Sequence, residues 1–503
     1  MLDDLLALAL FSQVMALGIS SSSAQVTPTL GLIGGTVYAS PTTPPFRDAV
    51  VAVSGGTVAA VGSRSDVQVP HGARTIDYSD RSLTAGFYLP RPWANKLSNE
   101  ELRMRTQVGI IGAGPAGLFL AHLLGQMRID CIVLERRSRS HVEGRVRAGV
   151  LERGTIETLQ ALGLDGRLKR EGMIDNGLDI RFRGRTIHLN LPNLTGKSVM
   201  IYGQQEVVKD LIASRIAAGG PIYFEAQVTS LHGLDGDRAV IRYVDPEHSE
   251  ELSLECDFIA GCDGYHGVSR FAVPQGAVQF YDHAYDFAWL GVLARARPLA
   301  DMTYSNSDRG FALCSRRSVE ISRLYLQVDL DEAPDAWSDM RFWDELHRRM
   351  FDEARTEITE GEIFQRDIAN LRCFVITPMQ YGRLFLVGDA AHIVPPTGAK
   401  GMNLAVADAR MLASGLFEFY RQSSGVGLDA YSERCVRRVW RTMRFSARLT
   451  ELLHKLPSHL PVERELQLAE LEYIAGSRAA QTSIAEQYVG LPYEDSCIIF
   501  RGG

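Results

Sequence analysis

Residues 107–117 read Gln-Val-Gly-Ile-Ile-Gly-Ala-Gly-Pro-Ala-Gly, and this stretch decides the fold. The apolar run predicts a buried strand, and the residues after it, Leu-Phe-Leu-Ala-His-Leu-Leu, have helical spacing. Gly112 permits a tight turn, Gly114 lets a pyrophosphate approach the backbone, and Gly117 lets helix and strand pack closely. The helix N-terminus offers free N–H groups to phosphate. The stretch therefore predicts a strand, turn and helix that bind a dinucleotide.

Acidic residues at the ends of three further apolar runs support this interpretation. Glu135 ends the run Cys-Ile-Val-Leu and follows Gly117 by 18 residues, the spacing expected for a carboxylate that binds a ribose hydroxyl. Asp263 and Asp389 end the runs Ile-Ala-Gly-Cys and Leu-Phe-Leu-Val-Gly. An Asp in such a turn can bind a ribose or ribityl hydroxyl.

The composition is that of a folded protein. The 503 residues are 46% apolar and 22% charged, and at about 150 residues per domain they predict roughly three domains. The net charge of −7 gives no reason to expect a nucleic acid or an anionic membrane as partner. The 7 cysteines include no Cys-x-x-Cys pair, which favours free thiols, a reducing cytoplasmic location and no metal site.

Residues 5–19 are almost entirely apolar, too short a run to cross a membrane but long enough for a signal-peptide core. Asp3 and Asp4 stand where a signal peptide carries basic residues, so the sequence favours a cytoplasmic protein and leaves export as the alternative.

Short β-like runs broken by turns follow between residues 30 and 87. The segments GGTVY, AVVAVSGGTVAAVG and TIDYSDRSLTAGF resemble the opening β-segment of the metal-dependent amidohydrolases. In that family a His-x-His metal pair follows, whereas residues 88–93 here read YLPRPW. We interpret residues 1–103 as a β-rich extension, either an amidohydrolase-like fragment or an appended packing module. The sequence leaves open whether this extension is ordered.

From Met104 to Asp495 the chain resembles the FAD-dependent aromatic hydroxylases, and among them those acting on 4-hydroxybenzoate. The order Gly-x-Gly-x-x-Gly, Asp-Gly, Gly-Asp carries the resemblance, together with the motifs GRVRAGVLE, YGQ, CDGYHG, RGFALCSRRS, HIVPPTGAKGMN and YVGLPY. It implies hydroxylation of 4-hydroxybenzoate to 3,4-dihydroxybenzoate with FAD, NAD(P)H and O₂.

The predicted fold class is α/β. We expect a Rossmann-like FAD-binding domain at 104–283 that resumes at about 372–425, a β-sheet substrate domain at 284–371 and helices at 426–503. The arginine-rich pattern of residues 420–453 predicts a solvated or dimer-facing helix, and we expect a homodimer.

The resemblance also assigns site residues. The substrate carboxylate would bind Ser315, Arg317 and Tyr325. The phenol would meet Tyr304 and the loop at Pro396, and its proton would pass to Tyr488. FAD would be held by a larger set, which comprises Gly112, Gly114, Gly117, Glu135, Arg145, Arg147, Gln204, Asp263, Arg323, Asp389 and Asn403. NAD(P)H would be held by Arg136, Arg137, His141, His266 and Arg372, and arginines favour the 2′-phosphate of NADPH over NADH.

Asp175 is a departure from the family, which has His at this outer position of the proton relay. A free Asp has a pKa of about 3.9 and a free His about 6.5, so we expect an altered pH profile. Asp175 keeps a hydroxylase of a related hydroxybenzoate open as an alternative. A metal hydrolase, suggested only by residues 30–87, and an inactive fusion are the alternatives outside this class.

Overall fold

The computed structural model describes residues 30–34, 36–38, 46–54, 57–69, 73–77, 82–84, 87–89, 104–147, 149–245, 249–354, 357–457 and 460–493. The chain divides into two compact units, Met1–Arg103 and Met104–Gly503. The apolar run at residues 5–19 lies outside the described residues, as does the end of the chain from residue 494.

The first unit consists of short strands. They are β1 Leu30–Ile33, β2 Thr36–Tyr38, β3 Phe46–Arg47, β4 Ala49–Ser54, β5 Thr57–Ser63, β6 Arg74–Asp77, β7 Ser82–Thr84 and β8 Phe87–Leu89. Two four-stranded sheets result, in the orders β5-β4-β1-β6 and β3-β2-β7-β8. Val37 and the stretch 49–52 are buried. The β-rich character expected of this segment is thus present.

The second unit carries the remaining strands. They are β9 Met104–Ile111, β10 Cys131–Leu134, β11 Val150–Leu151, β12 Met173–Asp175, β13 Gly177–Phe182, β14 Arg185–Asn190, β15 Val199–Ile201, β16 Ile222–Tyr223, β17 Gln227–His232, β18 Ala239–Val244, β19 Glu251–Gly261, β20 Gln279–Arg295, β21 Met302–Asn306, β22 Ala312–Arg316, β23 Ser322–Val328, β24 Glu362–Thr377, β25 Gln380–Tyr381, β26 Leu384–Leu386 and β27 His392–Ile393.

Its helices lie between these strands in the first part of the unit, and from residue 401 onward they follow one another. They are α1 Pro115–Gln126, α2 Arg139–Gly144, α3 Arg153–Ala161, α4 Gly166–Glu171, α5 Leu191–Thr195, α6 Gln204–Ala217, α7 Asp339–Arg349, α8 Gly401–Gln422, α9 Val426–Asp429, α10 Tyr431–Leu453, α11 Pro461–Gly476 and α12 Arg478–Val489. Among the described residues, no helix combines the length and the apolar composition that crossing a bilayer requires.

The first large sheet has the order β16-β10-β9-β19-β18-β17, with β26 and β25 added beside β19. Strands β10, β9, β19 and β26 are parallel, and α1 connects β9 to β10. A parallel strand covered on both faces is apolar along its length, as residues 108–111 are. The predicted Rossmann-like arrangement is confirmed.

The second large sheet has the order β14-β13-β21-β22-β23-β20-β24-β27. This sheet includes β13 and β14, which precede the predicted substrate domain. Strand β20 begins before the expected first residue of that domain, 284, and β24 ends after its expected last residue, 371. Strand ladders join segments far apart in sequence, so local patterns give little information on such pairing.

The strand β24 contributes to three separate hydrophobic cores within the described part of the chain. Phe374 belongs to the core around the first sheet, Leu371 to the core beneath the C-terminal helices, and Ile363 to the core that contains Trp343. Although β24 belongs to the second sheet alone, it therefore also packs into the core around the first sheet.

Candidate active site

The glycine-rich turn has the geometry expected of a phosphate-binding turn. Gly112 has a φ of +103°, and a Cβ there would lie 2.5 Å from the Cys262 carbonyl oxygen. A Cβ on Gly117 would lie 2.1 Å from the Gly112 carbonyl oxygen, whereas nothing lies within 4 Å of the Gly114 position. The turn is tight where backbones meet and open where a ligand approaches. The helix α1 begins directly behind it with Pro115, whose missing N–H costs nothing at that position.

Acidic groups surround this turn at the carboxyl ends of the parallel strands. The Glu135 carboxylate accepts hydrogen bonds from the backbone N–H of Ala113 and of Arg137, both at 2.8 Å. Asp263 accepts from the N–H and Oγ of Ser269 through Oδ2, and its buried Oδ1 has no hydrogen-bond partner. Desolvation raises the pKa of Asp263, which the bonds from Ser269 oppose.

Asp389 is exposed to solvent, although the surrounding protein atoms still desolvate its carboxyl group. This desolvation raises its pKa, against the opposing charges of His392, Arg147 and Arg145. The open Gly114 face, the orphaned Asp263 oxygen and the arginines near Asp389 fit a polyhydroxylated pyrophosphate ligand such as FAD.

Asn403 has a different environment from that of a ligand-binding residue. Its Oδ1 accepts from the Glu152 N–H at 3.0 Å and from Thr155 Oγ1 at 2.8 Å, and its Nδ2 donates to the carbonyls of Val150 and Ala399. The side chain thus joins the start of α8 to the segment before α3. Gln204, at the first position of α6, is half-buried.

His392 and Asp408 form a buried pair beneath the Asp389 turn. His392 Nε2 lies 2.6 Å from Asp408 Oδ2, which also accepts from the Gly388 N–H at 3.0 Å. Burial alone would lower the pKa of His392, but the Asp408 carboxylate outweighs it and raises that pKa.

We expect Asp408→Asn to lower the free energy of unfolding by about 2 kcal/mol at pH 6, as for a lost charge-assisted hydrogen bond. A group whose pKa is raised in the folded state contributes its full stabilisation at pH values below its ordinary pKa, here that of a free His. This contribution is lost as the pH rises through the raised pKa. The loss should therefore be smaller at pH 9. Urea unfolding of both proteins at the two pH values measures it, and equal losses would contradict the charged pair.

A cationic group lies at one end of the second sheet. Ser315 pairs with Arg323 and Leu313 with Tyr325 across β22 and β23. Ser315 Oγ donates to the Arg323 carbonyl at 2.9 Å, and Arg323 donates to the Arg147 carbonyl at 2.7 Å. The structure therefore brings the predicted carboxylate-binding residues together with an arginine predicted to hold FAD.

Arg317 is the central cation of this group. It donates to the Arg147 carbonyl at 3.3 Å and to the Gln205 side chain. Burial, aided by the neighbouring charge of Arg323, lowers the pKa of Arg317 to about 10. Because a guanidinium is costly to desolvate without an anion, the site favours a planar carboxylate.

A phenolic pair lies across the neighbouring strands. Tyr304 of β21 and Tyr488 of α12 are each 1% exposed, and their hydroxyl groups lie close enough to influence each other's pKa. The Tyr304 hydroxyl donates to the Thr397 carbonyl at 2.7 Å, and the Tyr488 hydroxyl lies 2.9 Å from Met302 Sδ. Burial raises the pKa of both tyrosines. Pro396, directly before Thr397, is exposed.

Asp175 is 1% exposed and lies close enough to both tyrosines to raise their pKa. Its Oδ1 is 3.0 Å from Arg316 Nη2. Desolvation raises the pKa of Asp175 to about 6, against the attraction of Arg316 and with help from Asp301. The altered pH profile expected for Asp175 stays a prediction, and burial, which the sequence did not show, brings its pKa nearer to that of a free His.

The residues assigned to NAD(P)H fall into two groups. Arg136, Arg137 and His141 are exposed beside β10. Arg372 bonds to the Tyr265 hydroxyl and lies 3.2 Å from Asp282, while His266, whose ring packs edge-on to that of Tyr265, is exposed. The described contacts do not link the two groups.

Sequence analysis missed a buried ion pair behind the tyrosines. Lys400 Nζ donates to Glu152 Oε1 at 2.6 Å and to the Tyr488 carbonyl at 2.9 Å. Desolvation lowers the pKa of Lys400, although Glu152 opposes this. Both residues lie within motifs quoted above, but nothing in their spacing indicates that they meet.

Comparison with known proteins supports an assignment of this site. The model of the family described as "FAD binding domain" matches residues 105–446. The p-hydroxybenzoate hydroxylase of Acinetobacter baylyi is 47% identical over 393 residues, which cover 78% of this chain and 96% of that enzyme. The 3-amino-4-hydroxybenzoate 2-monooxygenase of Streptomyces cremeus is 26% identical over 61% of this chain and 77% of its own length.

Solved structures give the same fold. The p-nitrophenol 4-monooxygenase of Pseudomonas putida superposes with a TM-score of 0.65 at 19% identity, covering 77% of this chain and 100% of that one. The anhydrotetracycline hydroxylase OxyS of Streptomyces rimosus superposes with a TM-score of 0.62 at 21% identity, covering 77% and 76%.

Proposed function

The chain belongs to the family of FAD-dependent aromatic hydroxylases, and on this basis we propose that it hydroxylates 4-hydroxybenzoate to 3,4-dihydroxybenzoate. The overall reaction consumes NAD(P)H, a proton and O₂ and releases NAD(P)⁺ and water. The observation that carries the proposal is the pairing of a desolvated guanidinium, Arg317, with a buried tyrosine pair, Tyr304 and Tyr488, on neighbouring elements of one site. The 47% identical relative supports the same substrate.

FAD would be held by the turn at Gly112, Gly114 and Gly117, by Glu135, Asp263 and Asp389, and by Arg145, Arg147 and Arg323. Gln204 would contribute from the start of α6, and Asn403 would fix the surrounding loops. When bound and reduced, FAD supplies the electrons that activate O₂ for transfer of one oxygen atom to the ring.

The chain's own residues orient and ionise the substrate. Arg317, Ser315 and Tyr325 would bind the carboxylate, since a guanidinium fork fits both oxygens. The phenol would then meet Tyr304 and the loop at Pro396 and Thr397. Tyr304 would accept the phenolic proton as its own passes to Tyr488. Loss of this proton makes the ring electron-rich, which favours attack on the activated oxygen.

The test is an assay of the full-length protein loaded with FAD. NADPH and NADH oxidation are followed with and without 4-hydroxybenzoate, and 3,4-dihydroxybenzoate is quantified by chromatography. We expect the substrate to stimulate oxidation and the product to match the nucleotide consumed, with NADPH favoured through Arg136 and Arg137.

Nucleotide oxidation without this product would contradict the substrate assignment, and the same assay with 2,4-dihydroxybenzoate would then test the related-hydroxybenzoate alternative.

We further propose a cytoplasmic homodimer. The cysteines among the described residues are all free, which supports a reducing compartment.

A further inference from the structure

A second carboxyl group, that of Asp301, lies near Asp175 at the outer end of the proton relay. Asp175 ends β12, and Asp301 directly precedes β21. Strand β13 begins two residues after Asp175 and pairs in parallel with β21, with Leu178 opposite Met302. Both carboxyl groups therefore lie just before the start of these two adjacent strands. The register also brings Asp301 against the backbone of Gly177, where a Cβ would lie 2.5 Å from its carboxyl carbon.

Asp301 lies close enough to Asp175 to help raise the pKa of that carboxyl group. Two neighbouring carboxyl groups can share a hydrogen bond only when one of them carries a proton, because two carboxylates offer acceptors alone. Arg316 lies on the other side, with Nη2 at 3.0 Å from Asp175 Oδ1 and 3.0 Å from the Ile174 carbonyl. A proton that reaches Asp175 can therefore be shared with Asp301, beside the fixed positive charge of Arg316.

Asp301 continues this set of groups toward solvent. One carboxylate oxygen each of Asp301 and Asp179 and one ring nitrogen of His188 all lie within 4.8 Å of one another. His188 Nδ1 is 2.8 Å from Asp179 Oδ1, and the His188 side chain is 48% exposed. Asp175, at 1% exposure, has no comparable access to water. The titratable and charged groups that face the shared proton are therefore Arg316, Asp179, His188, Tyr304 and Tyr488.

We propose that the proton taken from the substrate phenol leaves through Asp175, Asp301, Asp179 and His188, with Asp175 and Asp301 sharing it on the way. This inference rests on the proposed function. The step is a transfer of one proton: the phenol O–H breaks, Tyr304 and Tyr488 pass a proton on, the Asp175 carboxylate accepts it, and His188 releases it to water. No electrons move in this part of the reaction.

The assignment gives Asp301 a role that the family resemblance does not. In the family a His occupies the Asp175 position, and an imidazole titrates near neutral pH by itself. Here a buried carboxyl group needs a partner to hand its proton on. The exposed histidine of this chain, His188, lies further along the path.

The experiment mixes the FAD-loaded full-length protein with 4-hydroxybenzoate in a stopped-flow instrument, in weak buffer with a pH-indicator dye. Phenolate absorbance and proton release to the dye are followed between pH 6 and 9. EDTA is present, because the three clustered side chains could bind a cation. We expect Asp301→Asn to slow proton release about tenfold, within the usual scale of proton-transfer catalysis. Added imidazole should restore the rate in this variant only.

Asp308→Asn is the matched control, because this carboxylate pairs with Arg464 at the surface and its side chain is 89% exposed. We expect it to behave as the unaltered protein. A second background carries Asp175→His together with Arg316→Gln, which removes the positive charge beside position 175. In this background Asp301→Asn should change the rate of proton release less than about twofold, because an imidazole exchanges protons directly.

An unchanged rate in Asp301→Asn, or an equal slowing in both backgrounds without rescue by imidazole, would overturn the relay. The unaltered protein separates this result from failure of the proposed function. If it shows neither phenolate nor product, the function and the relay fall together. If it hydroxylates normally while Asp301→Asn releases protons at the unaltered rate, only the relay falls.

Discussion

Arg317→Ala should reduce kcat/KM for 4-hydroxybenzoate by about 10²–10³-fold, the usual cost of removing one partner of a buried charge pair. Arg317 is desolvated strongly enough to lower its pKa to about 10, so an anionic substrate gains more from it than from an exposed cation. Arg317→Lys should recover only part of the loss, because an ammonium group lacks the planar fork. Steady-state kinetics and titration of the flavin spectrum with substrate measure both effects.

Arg309→Ala provides the control for Arg317. Arg309 forms an ion pair with Glu345 and its side chain is 50% exposed, so its loss should change kcat/KM by less than about twofold. FAD content must be compared as well, because Arg317 contacts the Arg147 carbonyl. A kcat/KM for Arg317→Ala close to that of the unaltered protein, at equal FAD content, would remove the carboxylate assignment.

Tyr304→Phe should reduce the rate of product formation at pH 7 by about 10²-fold or more, the typical contribution of general acid–base catalysis. The substitution keeps the ring and removes the hydroxyl that donates to the Thr397 carbonyl and lies close to Tyr488. Substrate affinity should change little, since under the proposed function Arg317 would provide most of the binding. Nucleotide oxidation should continue with little 3,4-dihydroxybenzoate formed.

The pH dependence of Tyr304→Phe is the more decisive readout. A free phenol has a pKa of about 10, so solvent supplies phenolate as the pH approaches that value. Product formation by the variant should therefore rise between pH 7 and 9.5, toward that of the unaltered protein. Tyr420→Phe, which removes a hydroxyl bonded to Asp257 in the other sheet, should leave the profile unchanged. A deficit that is the same at every pH would contradict a role in proton transfer.

Local sequence signals predicted the strand, turn and helix at the start of the second unit. The turn at Gly112 and the carboxylate of Glu135 belong to one strand-turn-helix-strand unit, whose parts are close in sequence as well as in space. The comparisons confirm the family resemblance and the FAD cofactor. The individual site residues remain predictions, although the structure brings most of the substrate-binding residues together.

Features that depend on long-range contacts were not predictable in this way. The pKa of Asp175 depends on burial and on Asp301, which is 126 positions away in the chain. Lys400 and Glu152 meet across a separation of 248 positions. Their residue types alone indicate solvated charges, because a charged side chain is seldom buried without a partner and its partner cannot be identified from spacing. The amidohydrolase interpretation of residues 1–103 remains a prediction.

The strand β24 limits how a chain of this kind can diverge during evolution. Since Ile363, Leu371 and Phe374 of one strand contribute to three different cores, exchange of either large sheet for a homologous segment would disturb the packing of the other. Recombination at the domain level would leave apolar surface exposed on both sides of the junction. New substrate specificities are therefore expected to arise by single side-chain exchanges on β21, β22 and β23, with the nucleotide-binding architecture inherited unchanged.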